Sequence, residues 1–260
     1  MVTIMGNVTM ITVITLDAHL HFAMYFFLKN LSFLDLCYSS VIAPNALANF
    51  SSSKVISFES YATQFFFFSL VVTTEGFLLV VMAYDCFMAI CSPLRYSVTM
   101  QPGKCTQLVL GTYCDGCLNS MLQTSLTFQL PFCSSSHINH FFCDVPPLLQ
   151  IACADSAVNE LVMFVVCGLI VVGTTRVVLI SYGYITVTIL KMHSGSRGYK
   201  FFSTCGSHLT AVSLFYGTLL VMYAQPGAVE SMEQRNIISI FYTAVIPMLN
   251  PSSTVCGTRT

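Results

Sequence analysis

Several side chains in this chain stand where charge is costly. Asp35 lies inside the apolar run LSFLDLCYSS, and Glu75 inside VVTTEGFLLVV. Ionisable residues within such segments are expensive and usually functional. Two carboxylates on neighbouring helices can hold a small cation together with Ser and Asn oxygens, because hard cations take oxygen ligands. They can equally share a proton, or sit as neutral, hydrogen-bonded buried acids. In VMAYDCFMAICSPLRY, Val81 to Tyr96, an apolar run meets Asp85 and Cys86 with no adjacent cation. Asp115 in GTYCDGCLN and Arg176 in GTTRVVLI also interrupt apolar runs. Either they pair between helices, since a buried charge is retained mainly when compensated, or they are substitutions that folding barely tolerates.

A second group lies in LPFCSSSHINHFFCDVPPLLQIACADS, residues 130–156. Cys133, His137, His140 and Cys143 have the ligand types of a zinc or copper site, but the spacing is loose. With Cys153 the same segment holds three cysteines, an odd number. Disulfide use would consume the thiolates, and a disulfide loop is the favoured reading. No G-x-S-x-G, P-loop, H-E-x-x-H or Gly-rich nucleotide fingerprint occurs, so no enzymatic activity is expected. His208 in STCGSHL stands alone at a helix start, where a His more often caps or packs than acts as a base.

The elements that position these groups are set by the solvent the chain needs. Of its 260 residues 55% are apolar and 8% charged, against about 25% charged in soluble domains. Lipid is the indicated solvent. A net charge of −1 gives no case for nucleic acid as a partner. Most of the 12 cysteines lie in apolar runs, where Cys behaves as a small hydrophobe. Spanning helices, which need about 20 apolar residues, are expected at residues 24–50, 57–91, 105–130, 157–190, 201–224 and 234–251. A further run, 1–16, is short for a span and is expected to be the second half of one. Arg95 and Lys104, then Lys191, Arg197 and Lys200, mark two cytosolic loops. The 131–156 loop carries Asp144 and Asp155, the 225–233 loop carries Glu230 and Glu233, neither has Lys or Arg, and both are expected to face outside. The N-terminus is therefore expected outside and the C-terminus inside. No internal repeat supports an inverted-repeat transporter.

Six stretches together, AMYFFLKNLSFLDLC, MAYDCFMAIC, SYGYI, KFFSTCGSHLT, FYGT and PMLNP, closely resemble the olfactory receptors, a family of rhodopsin-like G-protein-coupled receptors. Gly6-Asn7 resembles the family's first-helix motif, and HFFCDVPPLLQIACADS fits its tetrapod-type (class II) branch. The resemblance runs from about residue 5 to 251 and implies an all-α, seven-helix membrane bundle with an odorant pocket in its outer half. Pocket positions implied by alignment are Phe68, Ser69, Val72, Thr73 and Gly76, then Val166, Cys167, Ile170, Tyr216, Leu219, Leu220 and Tyr223. The set is largely apolar with a few hydroxyls, which suits small volatile ligands. The implied G-protein switch comprises Asp85, Cys86, Phe87, Tyr182, Asn250 and Pro251. Asp35 and Glu75 become the implied sodium acids, and no other cofactor is implied. Cys133 and Cys153 would form a disulfide within the outer loop. His140, Cys143 and Asp144 resemble a stretch proposed in the family to bind copper.

Departures from the family pattern carry their own expectations. The family has Arg where this chain has Cys86, and usually Tyr where it has Phe87. That always-charged fork pairs with the adjacent acid at rest and swings out to the G protein when active; cysteine can do neither, so coupling is expected to be severely weakened. Tyr61 stands where the family has a cysteine, which leaves Cys143 unpaired. A native disulfide is worth about 2–4 kcal/mol, so a looser outer face is expected. The family's glycosylated N-terminal segment and half of the first helix are expected to be missing. After PMLNP, residues 252–260 depart from the family's IYSLRNK-like continuation; one coding sequence for that stretch, slipped by one base, translates to Ser253–Thr260. The tail is therefore expected to be a frameshift product.

The reading is an odorant receptor in the plasma membrane, multi-pass, with retention in the endoplasmic reticulum as the alternative fate. Its expected partners are a small volatile odorant, a heterotrimeric G protein of the olfactory stimulatory type, and the lipid bilayer. The alternative is a non-signalling, pseudogene-like product or a membrane interaction partner of intact receptors.

Overall fold

A computed structural model describes residues 2–17, 23–51, 58–129, 157–191, 205–206 and 208–219. All regular structure among these residues is helical. In chain order the helices are α1 (Val2–Leu16), α2 (Ala23–Ser51), α3 (Phe58–Cys91), α4 (Pro93–Thr99), α5 (Pro102–Phe128) and α6 (Ala157–Lys191). A further helix, α7, is described at 205–206 and 208–219. The span expected at 234–251 and the tail 252–260 lie outside the described residues.

Lipid explains why these sequences stay helical. A backbone in hydrocarbon must satisfy its own N–H and C=O groups, and the helix does so within one segment. Hydroxyls follow the same rule. In α1, Thr9, Thr12 and Thr15 donate to the carbonyls of Met5, Val8 and Ile11 at 2.7, 2.8 and 2.7 Å. Two helical stretches, Tyr61–Cys91 and Leu161–Lys191, are long and apolar enough to cross a membrane. The second presents Leu161, Phe164, Leu169, Leu179 and Leu190 outward as exposed side chains. In water such a face would be an aggregation site; against lipid it is the expected surface.

The bundle is organised around α3, which packs against α2, α4, α5 and α6. Its 34 residues reach about 51 Å at about 1.5 Å per residue, longer than the roughly 30 Å hydrocarbon core. The apolar core runs along it, through Leu78, Leu79, Met82 and Ala83, to Phe27, Leu31 and Leu34 of α2 and Phe215 of α7.

The 92–104 loop contains the short helix α4, which patterning did not anticipate. Pro93 occupies its first turn, where the missing N–H loses nothing and the fixed φ suits a helix start. Pro102 does the same for α5, so that helix begins three residues ahead of the expected 105. The end of α3 closes with Ser92 N–H donating to Met88 O at 3.1 Å.

Candidate functional site

Among the described residues two polar regions interrupt the apolar core, one between α3, α5 and α6 and one where the end of α3 meets α4, α6 and the start of α7. In the first, α3 supplies Ser69 and Thr73, one helical turn apart and so on one face. Ser69 donates its hydroxyl to Gln123 Oε1 at 3.0 Å. Gln123 Nε2 donates to Asn119 Oδ1 at 3.2 Å and to Cys167 Sγ at 3.2 Å. Asn119 Nδ2 in turn donates to Thr73 Oγ1 at 2.8 Å. Five side chains from three helices thus form one seam, and Ser69, Asn119 and Gln123 are buried in it.

Ser69, Thr73 and Cys167 are residues that sequence comparison with the family placed in the pocket. Asn119 and Gln123 are not, yet they hold the other three. Their signal was present, as two amides four residues apart in an otherwise membrane-like span; that spacing puts them on one face, and amides there serve as interhelical hydrogen-bonding groups. The remaining described positions that the resemblance implies for a pocket lie on α3, α6 and α7. Phe68 is buried and packs on Tyr38, with ring centroids 6.0 Å apart. Val72, Val166 and Ile170 are half-buried. Gly76 faces Phe215, whose Cε1 lies 3.4 Å from where a β-carbon would stand. Tyr216 and Leu219 are buried on α7, and Tyr216 lies close to Glu75 and Thr174. Leu220 and Tyr223 lie outside the described residues.

Asp35 and Glu75 are both in the interior, 1% and 6% exposed. Hard carboxylate oxygens suit a small cation. Among the described residues no three His, Cys, Asp or Glu side chains converge on a metal position. Asp115 and Arg176 face outward on α5 and α6, and no ion pair joins them. Cys133, His137, His140, Cys143, Asp144 and Cys153 lie outside the described residues.

The second region is built on Asp85, 3% exposed. Tyr96 of α4 donates its hydroxyl to Asp85 Oδ1 at 3.0 Å. Burial, then the neighbouring Asp85 carboxylate, pushes the Tyr96 phenol up from its ordinary value, so it stays protonated and able to donate. Cys86 and Cys205 of α7 are both buried and belong to the same apolar core cluster. Phe87 stacks on Tyr84, centroids 6.5 Å apart, and meets Tyr184 of α6 edge-on at 6.0 Å. Tyr182 hydrogen-bonds His208 Nδ1 and stacks on its ring. The described histidine is therefore a packing and hydrogen-bonding residue. Asn250 and Pro251 lie outside the described residues.

At the outer end of α3, Tyr61 is 2% exposed and packs on Phe128 of α5 with centroids 6.2 Å apart. An aromatic contact occupies the place where alignment expects a cysteine.

The olfactory receptor family model matches residues 1–260. The chain is 77% identical to mouse (Mus musculus) Olfactory receptor 9S13 over 251 residues, which span 96% of this chain and 75% of that receptor. It is 55% identical to human (Homo sapiens) Olfactory receptor OR9H1, again over 96% of this chain and over 82% of that receptor. The crystal structure of squid rhodopsin is similar with a TM-score of 0.71 at 16% identity, covering 97% of this chain and 72% of the rhodopsin. At that identity the likeness shows the fold, a seven-helix receptor bundle.

Proposed function

The chain belongs to the olfactory receptor family, and from that premise we propose that it binds small volatile odorants but couples weakly to its G protein. It is a multi-pass plasma-membrane receptor and not an enzyme. The observation that supports a ligand pocket is the seam of Ser69, Thr73, Asn119, Gln123 and Cys167, a compact polar strip within apolar walls. Burial of a small ligand against those walls supplies affinity at about 25 cal/mol per Å² of apolar area. A single hydroxyl, carbonyl or ester oxygen of the odorant exchanges hydrogen bonds with the seam and is thereby oriented. In this reading Asp35 and Glu75 are the acids of a sodium site beneath the pocket.

Weak coupling is supported by Cys86. The family's arginine at this position carries the contact with a heterotrimeric G protein of the olfactory stimulatory type, and a thiol has neither the charge nor the reach. In a two-state bundle a ligand shifts the equilibrium only by its differential affinity, so a weak transducer contact lowers output even with odorant bound. A second reading, a non-signalling partner of intact receptors, rests on this same residue.

The test is a cAMP assay with a panel of small alcohols, aldehydes, ketones and esters, normalised to surface level. We expect little response from the native chain and a larger one from Cys86→Arg. Native signalling equal to that of Cys86→Arg would overturn the coupling claim. A change in a sibling receptor's surface level on co-expression would favour the second reading.

A further inference from the structure

Asp115 on α5 and Arg176 on α6 are the charges that stand in the middle of these two helices, one of each sign. Both side chains are exposed on the outside of the bundle, and neither is joined to another described residue. That surface meets hydrocarbon, where an uncompensated charge is costly. The hydrogen bonds between α5 and α6 fix how the two helices run past each other. Gln123 bonds Cys167 and Thr127 bonds Met163, so four residues forward on α5 match four residues backward on α6. Asn159 Nδ2, donating to Leu126 O at 2.9 Å, closes the same antiparallel pair nearer its end. Continued along both helices, this register sets Asp115 level with Arg176 to within about one helical turn, roughly 5 Å. The two opposite charges therefore share one depth of the bilayer, on neighbouring helices, facing out. The surface around them is apolar, with Leu110, Leu118, Leu169 and Val172 exposed. Each charge also has a glycine one turn away, Gly111 and Gly173, where an added β-carbon would meet nothing within 4 Å.

We propose that the chain self-associates through this face, as a two-fold dimer in which Asp115 of each copy pairs with Arg176 of the other. The membrane restricts the geometry. Two copies inserted in the same direction form a closed dimer about an axis along the bilayer normal, and rotation about that axis leaves depth unchanged. Asp115 can therefore meet Arg176 of a second copy only if the two residues share a depth within one chain, and the α5–α6 register supplies that condition. A two-fold interface is isologous, so the pair forms twice. Charge complementarity commits the face to a second copy. A partner with one charge would compensate one of the two residues and leave the other in lipid, whereas a copy of the chain compensates both, and a charge out of water is retained mainly when compensated. Carboxylate and guanidinium suit each other, because the planar fork can bind both oxygens. Their attraction is stronger in a low-dielectric surround than in water. The two glycines add a second fit, since small residues let membrane helices approach closely. The interface uses neither the seam nor the Asp85 region, so it is independent of odorant binding and of G-protein coupling.

The test measures resonance energy transfer between donor-labelled and acceptor-labelled full chains in cell membranes, at matched membrane levels. Transfer between native chains is expected to saturate as acceptor is increased. Transfer that only rises in proportion to acceptor density is random collision; it would overturn the proposal and leave the face to a different membrane protein. Asp115→Asn alone and Arg176→Gln alone each remove both pairs, and each is expected to bring transfer down to the collision level. Transfer unchanged in both would overturn the proposal. Donor-labelled Asp115→Asn mixed with acceptor-labelled Arg176→Gln keeps one pair across the dimer, so transfer is expected to return in part. A pair formed within one chain would be missing from both members of that mixture, and no recovery would overturn the proposal. Asp115→Glu and Arg176→Lys keep the charges and are expected to keep saturable transfer, which separates loss of the ion pair from a chain that fails to fold. Collision-level transfer in these variants too would mean that side-chain shape and not charge holds the face, and would equally overturn the pairing. No odorant or G protein takes part, so the outcome is read separately from the cAMP assay.

Discussion

Tyr96 donates its hydroxyl to Asp85 Oδ1 across 3.0 Å, binding the short helix α4 to the buried acid of α3. The relationship answers a question posed by the sequence, since Asp85 has no arginine beside it. A phenol from eleven residues onward supplies a neutral hydrogen bond to a group that would otherwise be buried without a donor. Leaving a buried acceptor unsatisfied costs about 1–3 kcal/mol. Tyr96→Phe keeps the ring and removes only the donor, so it is expected to lower stability by about that amount. Thermal unfolding of the detergent-solubilised chain checks it.

The same pair predicts a pH dependence. Burial and the Asp85 carboxylate raise the Tyr96 phenol above its ordinary value. A group whose folded pKa is raised contributes stability that is complete below its unfolded pKa, about 10 for tyrosine, and is lost as pH rises through the folded value. Stability of the native chain relative to Tyr96→Phe is therefore expected to be constant through neutral pH and to shrink above about pH 10. A difference that instead shrinks between pH 6 and pH 8 would place the titration on another group. Paired melting curves from about pH 6 to beyond about pH 10 decide it.

Gln123 is the node of the seam, joined to Ser69, Asn119 and Cys167. Gln123→Leu is similar in size but removes both amide functions, so the Ser69 donor and the Asn119 carbonyl lose their partner inside the bundle. About 1–3 kcal/mol of stability is expected to go with them. Interhelical hydrogen bonds in membranes average closer to about 0.6 kcal/mol, because the unfolded reference also finds partners; a loss near the lower figure means Ser69 re-pairs with Asn119. The double variant Ser69→Ala, Gln123→Leu separates these cases, being nearly additive only if the two residues do not interact.

How much of this was legible in the sequence differs between the two regions. Among the described residues, α2, α3 and α6 lie along the apolar runs, because a membrane helix must be continuous to satisfy its backbone. Asp35, Glu75 and Asp85 were conspicuous because charge in an apolar run is rare. Gln123 and Asn119 were not singled out, since a neutral amide carries no such flag and its importance depends on what α3 presents opposite. Helix α4 was hidden for a related reason: a seven-residue helix is too short to show periodicity, and only Pro93 hinted at its start. That Cys86 and Cys205 share one core cluster was invisible, because it depends on how α7 docks, which no local pattern encodes. Asp115 and Arg176 show the converse: the sequence left open a pair between helices or poorly tolerated substitutions, and the bundle turns both outward.

Tyr182 and His208 couple α6 to α7 through a hydrogen bond at His208 Nδ1 and a stacked ring contact. His208 Nε2 is buried without a hydrogen-bond partner, so Nδ1 carries all of the ring's hydrogen bonding. Tyr182→Phe keeps the stack and orphans that nitrogen, with an expected loss of about 1–3 kcal/mol. His208→Phe removes both ring nitrogens and leaves the Tyr182 hydroxyl as the only orphan. The double variant Tyr182→Phe, His208→Phe is expected to be more stable than Tyr182→Phe, because replacing both partners by apolar groups can be nearly neutral. Unfolding midpoints of the variants check the order.

Two interior glycines are expected to respond oppositely to the same added methyl group. At Gly116 of α5 a β-carbon would stand 2.1 Å from Thr74 Oγ1 and 3.1 Å from Leu70 O. The Thr74 hydroxyl is itself donating to Leu70 O at 2.7 Å, so turning it aside gives up a hydrogen bond, and the carbonyl behind it belongs to the α3 backbone. Small residues at such crossings are what let membrane helices approach closely. Gly116→Ala must push α3 and α5 apart, at an expected loss of about 1–3 kcal/mol typical of overpacking. Thr74→Ala removes the nearer clash and leaves the carbonyl contact, so it is expected to restore part of the loss but not all of it. At Gly76 a β-carbon would meet Phe215 at 3.4 and 3.6 Å, the spacing of ordinary packing. Gly76→Ala is therefore expected to fold at least as stably as the native chain, since alanine also favours the helix by about 1 kcal/mol over glycine. Its effect falls on the pocket, where the methyl group fills space beside Phe215 and weakens the larger members of an odorant panel more than the smaller ones. Unfolding midpoints of the two alanine variants, compared with potency against ligand size in the Cys86→Arg background, measure both halves. Equal destabilisation by the two substitutions would mean that the α3–α5 crossing is looser than the Gly116 geometry requires.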